Sequence, residues 1–301
     1  MNPRCLHTRA GVIRFPAYIP VTTFGNKYPL DKLIQPYLPR LSDAVMVSYH
    51  YARQMEKRLP LPIMVDSGGF ASLFKNAQIR RVGGLGVIEI ERDGEVERIT
   101  PQQVLELQEE VADVAFTLDF PIPPGTAKRE ATKRLGLTIR NAHWALDNRR
   151  RRDLPLYACV QAWDVASARD CAEAYRQSEF DGLAIGGLVP RARDAALVTA
   201  LVSEVRDVAS DKPLHVFGIG SPDLVAELYR IGVDSVDSSG YVKLAADGRR
   251  WDEDAYLRPV ATPMDRLHLA LCNLAMASSR SLPLSASTIG FHSWATNRAT
   301  K

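Results

Sequence analysis

The chain has 301 residues, 46% of them hydrophobic, which is enough apolar side chain to close one sizeable core. Its net charge of +3 permits a nucleic-acid partner but lacks the basic excess that would argue for one by itself. Cys5, Cys159, Cys171 and Cys272 stand far apart with no paired spacing, and no apolar run reaches bilayer length or resembles a signal-peptide core, so the expectation is a reduced cytoplasmic protein without a disulfide scaffold, zinc ribbon or membrane span.

Short β-rich runs alternate with longer helical patterns, the rhythm of βα units around a parallel sheet. In chain order the expected strands are Ala17 to Thr22, Ala44 to Ser48, Ile63 to Asp66, Val114 to Asp119, Leu156 to Gln161, Gly182 to Gly186, Leu214 to Gly218 and Ser235 to Asp237. Eight strands of this kind predict an α/β fold of the (β/α)8 TIM-barrel type. Between the third and fourth, Arg80 to Thr100 carries the alternating run Val87-Ile88-Glu89-Ile90-Glu91-Arg92 flanked by Gly83-Gly84 and Asp93-Gly94, and reads as one β-hairpin inserted above the barrel. Thr100-Pro101-Gln102-Gln103 then opens a helix with an N-cap, a proline at the first position and a glutamine closing a capping box. Val104, Leu107 and Val111 form the apolar face of that helix. Helical periodicity returns at Lys128 to Asn148, Val165 to Gln177 and Asp223 to Ile231. After Asp247-Gly248 the pattern becomes a helical tail near Asp265 to Ser278 and then a Ser-rich stretch. The expected organisation is one barrel over residues 1–260 and a C-terminal helical extension over 261–301.

Three of the strand motifs deliver an acid toward their C-terminal ends: Asp66 in Ile63-Met64-Val65-Asp66-Ser67-Gly68-Gly69-Phe70, Asp119 in Phe116-Thr117-Leu118-Asp119, and Asp237 in Val233-Asp234-Ser235-Val236-Asp237. A single strand-end carboxylate is commonly a core hydrogen-bond acceptor, whereas several at the mouth of one barrel have the build of an enzyme site. Asp234 and Asp237 lie three apart on an extended strand, so only one can face the mouth. The turn Gly218-Ile219-Gly220-Ser221-Pro222 stands where barrels hold phosphate on backbone N–H groups, and equally suits a plain βα turn. Arg149-Arg150-Arg151-Arg152 suits either a solvated helix end or contacts to a phosphate backbone. His143 and His215 receive no role. His268, Cys272 and His292 match no four-ligand zinc spacing, and no metal is expected.

Read together and in order, Phe15-Pro16-Ala17-Tyr18-Ile19-Pro20-Val21, Asp66-Ser67-Gly68-Gly69-Phe70, Thr100-Pro101-Gln102, Leu118-Asp119, Val160-Gln161, Gly182-Leu183-Ala184-Ile185-Gly186-Gly187, Gly218-Ile219-Gly220-Ser221-Pro222 and Gly232-Val233-Asp234-Ser235-Val236-Asp237 resemble the tRNA-guanine transglycosylase superfamily along most of the chain. The resemblance implies a (β/α)8 barrel that exchanges guanine in nucleic acid for a free 7-deazaguanine base, with no ATP, redox group or other cofactor. It implies that Asp237 attacks C1′ as guanine leaves and that Asp66 protonates the departing purine and deprotonates the incoming one. It also implies that Asp119 and Gln161 hydrogen-bond the purine edges with help from Ser67 and the backbone around Gly182 and Leu183. Phe70 and Phe217 sandwich the ring in this picture, and the target nucleotide leaves its stack to reach them.

Departures from the superfamily pattern bear on the substrate. Its tRNA enzymes carry a C-x-C-x-x-C plus histidine zinc site after the last barrel strand, where this chain has only Cys272, and Ser238-Ser239-Gly240-Tyr241 replaces the usual Pro-Thr-Arg. Both changes lie where the polynucleotide would be held, so the resemblance is strongest to the DNA 7-deazaguanine transglycosylase branch, with DNA as the partner and a helper protein for strand opening as a further one. Gly187 stands where bacterial tRNA enzymes place a glutamate for an aminomethyl group, which points to the neutral 7-cyano-7-deazaguanine (preQ0) as the incoming base. The alternatives are a tRNA enzyme without the zinc unit, a noncatalytic nucleic-acid-binding subunit, and an unrelated barrel acting on a phosphorylated metabolite. Retention of Asp66 and Asp237 argues against the second, and the third leaves the Asp66-Ser67-Gly68-Gly69 turn unexplained.

Overall fold

Residues 4–24, 28–252 and 262–278 are described by the computed structural model. An antiparallel hairpin that the periodicity does not announce, β1 (Cys5–Thr8) and β2 (Gly11–Arg14), precedes the barrel strands β3 (Ala17–Pro20), β4 (Val45–Ser48) and β5 (Ile63–Asp66). A separate antiparallel sheet follows, made of β6 (Ala77–Val82), β7 (Leu85–Arg92) and β8 (Glu95–Ile99). The strands β9 (Val114–Phe116), β10 (Leu156–Val160), β11 (Gly182–Ile185), β12 (Leu214–Val216) and β13 (Ser235–Ser238) then complete an eight-stranded parallel sheet. Its order is β3-β13-β12-β11-β10-β9-β5-β4, and a parallel bridge between Val21 and Met46 joins the two ends into a nearly closed barrel. All eight expected strands are present, and the fold is the (β/α)8 type.

The helices are α1 (Pro29–Ile34), α2 (Leu38–Leu41), α3 (Tyr49–Ala52), α4 (Pro101–Val111), α5 (Lys128–Asn148), α6 (Val165–Glu173), α7 (Ala195–Ala209), α8 (Pro222–Arg230), α9 (Gly240–Ala246) and α10 (Pro263–Ala277). At the start of α4 the capping box forms as its sequence predicts. Gln103 N–H donates to the Thr100 hydroxyl at 3.2 Å, and Thr100 N–H donates back to Gln103 Oε1 at 3.1 Å.

The inserted segment departs from the expected single hairpin. It is a three-stranded meander, because Gly83-Gly84 and Asp93-Gly94 are its two internal turns rather than its outer flanks. All four turn residues have positive φ, between 52° and 90°, the requirement of the tight turns that match strand twist. Ile79, Ile88 and Ile99 pair across the three strands and bury one face beside Val104 of α4 and Leu137 of α5.

Alternation along each barrel strand divides the apolar residues into two compartments. Ile19, Met46, Met64, Phe116, Tyr157, Cys159 and Ala184 fill the interior, where Ile13 of β2 and Phe15 join them. Val45, Val47, Ile63, Val65, Ala158 and Val160 face outward into the helical layer.

The N-terminal ends of the strands are tied together by a repeated device. Asp113, Asp181 and Asp234 each precede or begin a strand and accept the first N–H of a neighbouring one: Ile63 at 2.9 Å, Leu156 at 2.9 Å and Leu214 at 2.8 Å. Each also meets arginine: Arg9 and Arg58 on Asp113, Arg149 on Asp181, and Arg4 and Arg206 on Asp234. The four-arginine run is largely absorbed into the same end of the barrel. Arg149 pairs with Asp181, Arg150 with Glu109, and Arg151 with Asp153 and the Glu109 carbonyl. Asp234 therefore lies at the opposite end of β13 from Asp237 and serves the fold. Asp234→Ala takes the carboxylate from Arg4 and Arg206 and leaves the Leu214 N–H without its acceptor, and should cost about 2–4 kcal/mol in denaturant unfolding.

Candidate active site

The mouth is built around the turn that leaves β5. Asp66 is the last residue of the strand, and its Oδ1 accepts the Gly68 N–H at 2.9 Å. Gly68 has φ +77°, a left-handed conformation that a side chain resists, and this lets the chain fold back on the carboxylate. Gly69 is required for a different reason. A Cβ there would stand 2.3 Å from the Asp119 carbonyl oxygen and 2.4 Å from its Oδ1, so any other residue would expel Asp119.

Asp119 does not end a strand as its sequence suggests. β9 stops at Phe116, and the acid lies three residues further on in irregular backbone, with one hydrogen bond to each carboxylate oxygen. The Ser67 hydroxyl donates to Oδ1 at 2.7 Å, and Gln161 Nε2 donates to Oδ2 at 2.5 Å. Gln161 Oε1 accepts the Ile122 N–H at 3.3 Å, which fixes the amide orientation. Gly186 gives this amide room, since a Cβ there would come within 2.5 Å of Gln161 Nε2.

Asp237 enters from β13 and its Oδ1 accepts two donors, the Gly218 N–H at 3.1 Å and His215 Nε2 at 3.1 Å. His215 lies on β12 with its other ring nitrogen 2.8 Å from the Ser235 hydroxyl. The turn after β12, singled out as a phosphate candidate, thus spends its first N–H on a carboxylate.

Electrostatics join these acids into one site. Burial pushes the Asp66 carboxyl up to about 7, and repulsion from the Asp119 and Asp237 carboxylates adds to it, against hydrogen bonds from Gly68 and Ser67. Burial also raises Asp119, opposed by Ser67 and Gln161. Asp66 can accordingly hold or release a proton near neutrality, the property a general acid or base requires.

Of the aromatic candidates, Phe70 follows Gly69 in a short 3-10 turn and is 64% exposed, with its ring 6.0 Å from that of Phe74. Phe217 is partly buried and packs edge-on against Phe116 at 4.9 Å and His215 at 4.8 Å. The structure brings Asp66, Ser67, Asp119 and Gln161 into one network with Asp237 beside it, and sets the two phenylalanines on loops that leave the same end of the barrel.

It does not bring Gly182 and Leu183 there. Gly182 is the first residue of β11, packed so closely on the Tyr157 ring that a Cβ would meet it at 2.6 Å, and Leu183 belongs to the outer apolar layer. With roughly 3.3 Å per residue, Gly182 lies about 13 Å below the mouth. The backbone that reaches the mouth from this strand is Gly186-Gly187, where a Cβ on Gly187 would be 2.7 Å from Gln161 Oε1.

His215 is the residue that sequence reasoning passes over. Its signal was parity: on β12 it shares a face with Phe217, and the register opposes it to Ser235, two residues from Asp237. His143 is a helix residue whose Nε2 lies 3.1 Å from the Ala174 carbonyl. His268 and Cys272 lie 3.6 Å apart on α10, while His292 falls outside the described residues. Among the described residues no group of three metal-ligating side chains occurs, and no helix is long and apolar enough to cross a membrane.

Comparison with known proteins agrees with the barrel fold. The family model described as queuine tRNA-ribosyltransferase matches residues 4–270. The chain is 28% identical over 262 residues to a tRNA-guanine(15) transglycosylase of Methanothermobacter thermautotrophicus, covering 81% of this chain and 36% of that protein. It is 27% identical over 288 residues to a queuine tRNA-ribosyltransferase of Thermosynechococcus vestitus, covering 86% and 74%, and 29% identical over 260 residues to one of Nitratidesulfovibrio vulgaris, covering 77% and 66%. The chain thus spans about a third of the archaeal relative and between two thirds and three quarters of the bacterial ones. A barrel whose mouth gathers Asp66, Asp119, Gln161 and Asp237, matched from its first described residue into its last described helix, belongs to the queuine tRNA-ribosyltransferase family, a family of pentosyltransferases.

Proposed function

We propose that the protein exchanges guanine in DNA for a free 7-deazaguanine base by two displacements. The observation that carries this reading is the placement of two strand-end carboxylates at one barrel mouth, Asp66 folded against the Gly68 N–H and Asp237 held by Gly218 and His215, close enough for Asp237 to help raise Asp66. An Asp237 oxygen forms a bond to C1′ while the C1′–N9 bond breaks, and Asp66 supplies the proton that the departing purine takes up. In the return step Asp66 accepts the proton of the incoming base, whose nitrogen bonds C1′ and displaces the Asp237 carboxylate. No redox or metal step is needed to balance these bonds.

The purine edges fit the donors and acceptors present. Asp119 and its neighbours present acceptors suited to the N1–H and N2–H groups of guanine, and the Gln161 amide is the group suited to O6. The ring carbon bearing the 7-substituent lies beyond O6, which assigns Gly186 to Arg191 to the substituent. Arg191 is 7% exposed and donates to the carbonyls of Gly187 at 2.5 Å and Ile122 at 3.0 Å, and no ion pair to it is found among the described residues. An uncompensated guanidinium disfavours a cationic aminomethyl group and tolerates a neutral nitrile, so preQ0 is the proposed base. In competition between the two bases, Arg191→Glu should shift the ratio of incorporation at least about 10-fold toward the aminomethyl base, a difference of 1.4 kcal/mol. An unchanged ratio would remove Arg191 from base selection.

DNA is favoured because only Cys272 stands where a three-cysteine zinc site would, and because Ser238-Ser239-Gly240-Tyr241 changes the segment after the nucleophile. The second reading, tRNA as substrate, is supported by the names of the relatives. Nucleoside mass spectrometry on DNA and tRNA incubated side by side with the protein and each base decides between them. Modified base confined to tRNA would refute the DNA reading.

A further inference from the structure

We propose that His215 is the positioning residue that aims Asp237, with Ser235 selecting the tautomer that does so. The inference rests on Asp237 being the nucleophile. His215 is fully buried in the barrel interior, in a three-ring cluster with Phe116 at 5.2 Å and Phe217 at 4.8 Å. An ionised carboxylate oxygen only accepts, so the 3.1 Å contact from Nε2 to Asp237 Oδ1 requires the hydrogen on Nε2. In the neutral imidazole Nδ1 then accepts, and the hydroxyl of Ser235 at 2.8 Å is the donor that meets it. The chain Ser235 O–H to Nδ1, Nε2–H to Oδ1 has one direction.

Its effect falls on the geometry of attack. The terminal torsion of an aspartate is broad, so an untethered carboxylate samples many orientations. Here both His215 and the Gly218 N–H end on Oδ1, which anchors that oxygen and leaves Oδ2 to form the bond to C1′. When Oδ2 becomes the ester oxygen, the C1′–N9 electron pair departs with guanine and Oδ1 becomes the ester carbonyl, still held by the same two donors. In the return step the C1′–Oδ2 pair goes back to the carboxylate, and donors already in place stabilise the charge that reappears. Gly218 alone would fix one contact point without fixing the plane of the group.

The test uses the intact protein with labelled guanine and a nucleic-acid substrate, measuring kcat, KM and denaturing-gel adduct for wild type, His215→Leu, His215→Gln and Ser235→Ala. Removal of one preorganised donor lowers kcat about 100-fold, so His215→Leu should lose that factor with KM within about 3-fold of wild type. His215→Gln, whose amide can donate from nearly the same place, should recover at least about 10-fold of the loss. Ser235→Ala should lower kcat several-fold by releasing the other tautomer. A histidine that only packs the interior would make Gln no better than Leu, and that result overturns the proposal. So does a His215→Leu or Ser235→Ala protein with wild-type kcat; should the leucine variant fail to fold, the glutamine and Ser235 variants still decide. A wild type that exchanges no guanine and forms no adduct overturns instead the transglycosylase reading on which the inference stands.

Discussion

Asp237→Asn should lose the covalent adduct and lower base exchange by about 10⁴-fold or more, the range seen when a nucleophile is removed from an intact site. The size of the effect follows from the absence of a substitute. Asp234, the nearest acid in sequence, is held by Arg4, Arg206 and the Leu214 N–H at the far end of the strand, and cannot swing to the mouth. The fold should be unaffected, because an asparagine carbonyl can still accept from Gly218 and His215 where Oδ1 now does. The check is single-turnover exchange of labelled guanine together with a denaturing gel for the adduct. An adduct that persists in the asparagine variant moves the nucleophile to another residue.

Asp66→Asn carries the second large effect and has two faces. Loss of a positioned acid and base costs exchange about 10³-fold. In the wild type, the proposed first displacement would need Asp66 protonated, so kcat/KM for the nucleic acid should fall as pH rises through about 7. Stability moves with the same proton. Because burial raises this carboxyl from 3.8 to about 7, the folded state binds a proton that the unfolded state has released between those values. Wild-type stability from this group is therefore lost as pH rises from about 4 to 7, and stays lost above. Asparagine removes that dependence, so Asp66→Asn should be more stable than wild type at pH 8 and nearly equal at pH 4. The bound on the gain is about 4 kcal/mol and the realised value smaller, since Asp66 keeps some contact with solvent. Urea unfolding at the two pH values measures it, and a variant less stable at pH 8 would contradict the origin given for the raised carboxyl.

The barrel was legible because its signal is local: runs such as Ile63-Met64-Val65 and Leu156-Tyr157-Ala158-Cys159-Val160 are strand-like wherever they fall, and the helices between them leave little choice but parallel pairing. The inserted meander was misdivided because a Gly-Gly or Asp-Gly pair marks a turn without saying whether the turn lies inside a sheet or at its border. Asp66 and Asp237 could be singled out as strand-end acids, whereas Gly182 and Leu183 illustrate the opposite case. Their motif contains glycine at both ends of one short strand, and only the direction of that strand in space shows that Gly186-Gly187 is the pair at the mouth. His215 was hidden for a related reason: its partners Ser235 and Asp237 are twenty or more positions away, and cross-strand register is not written in either segment alone.

The hairpin Cys5–Thr8 and Gly11–Arg14, with Ile13 and Phe15 seated in the interior, stoppers one end of the cylinder. Asp66 and Asp237 stand toward the opposite end, where their strands finish. On the proposed mechanism the outgoing and incoming purines would use that end in turn, so the released base would have to clear it before its replacement enters, and the two bases would become rivals for one berth. The proposed mechanism would also restore the configuration at C1′, because each of its two displacements inverts that centre.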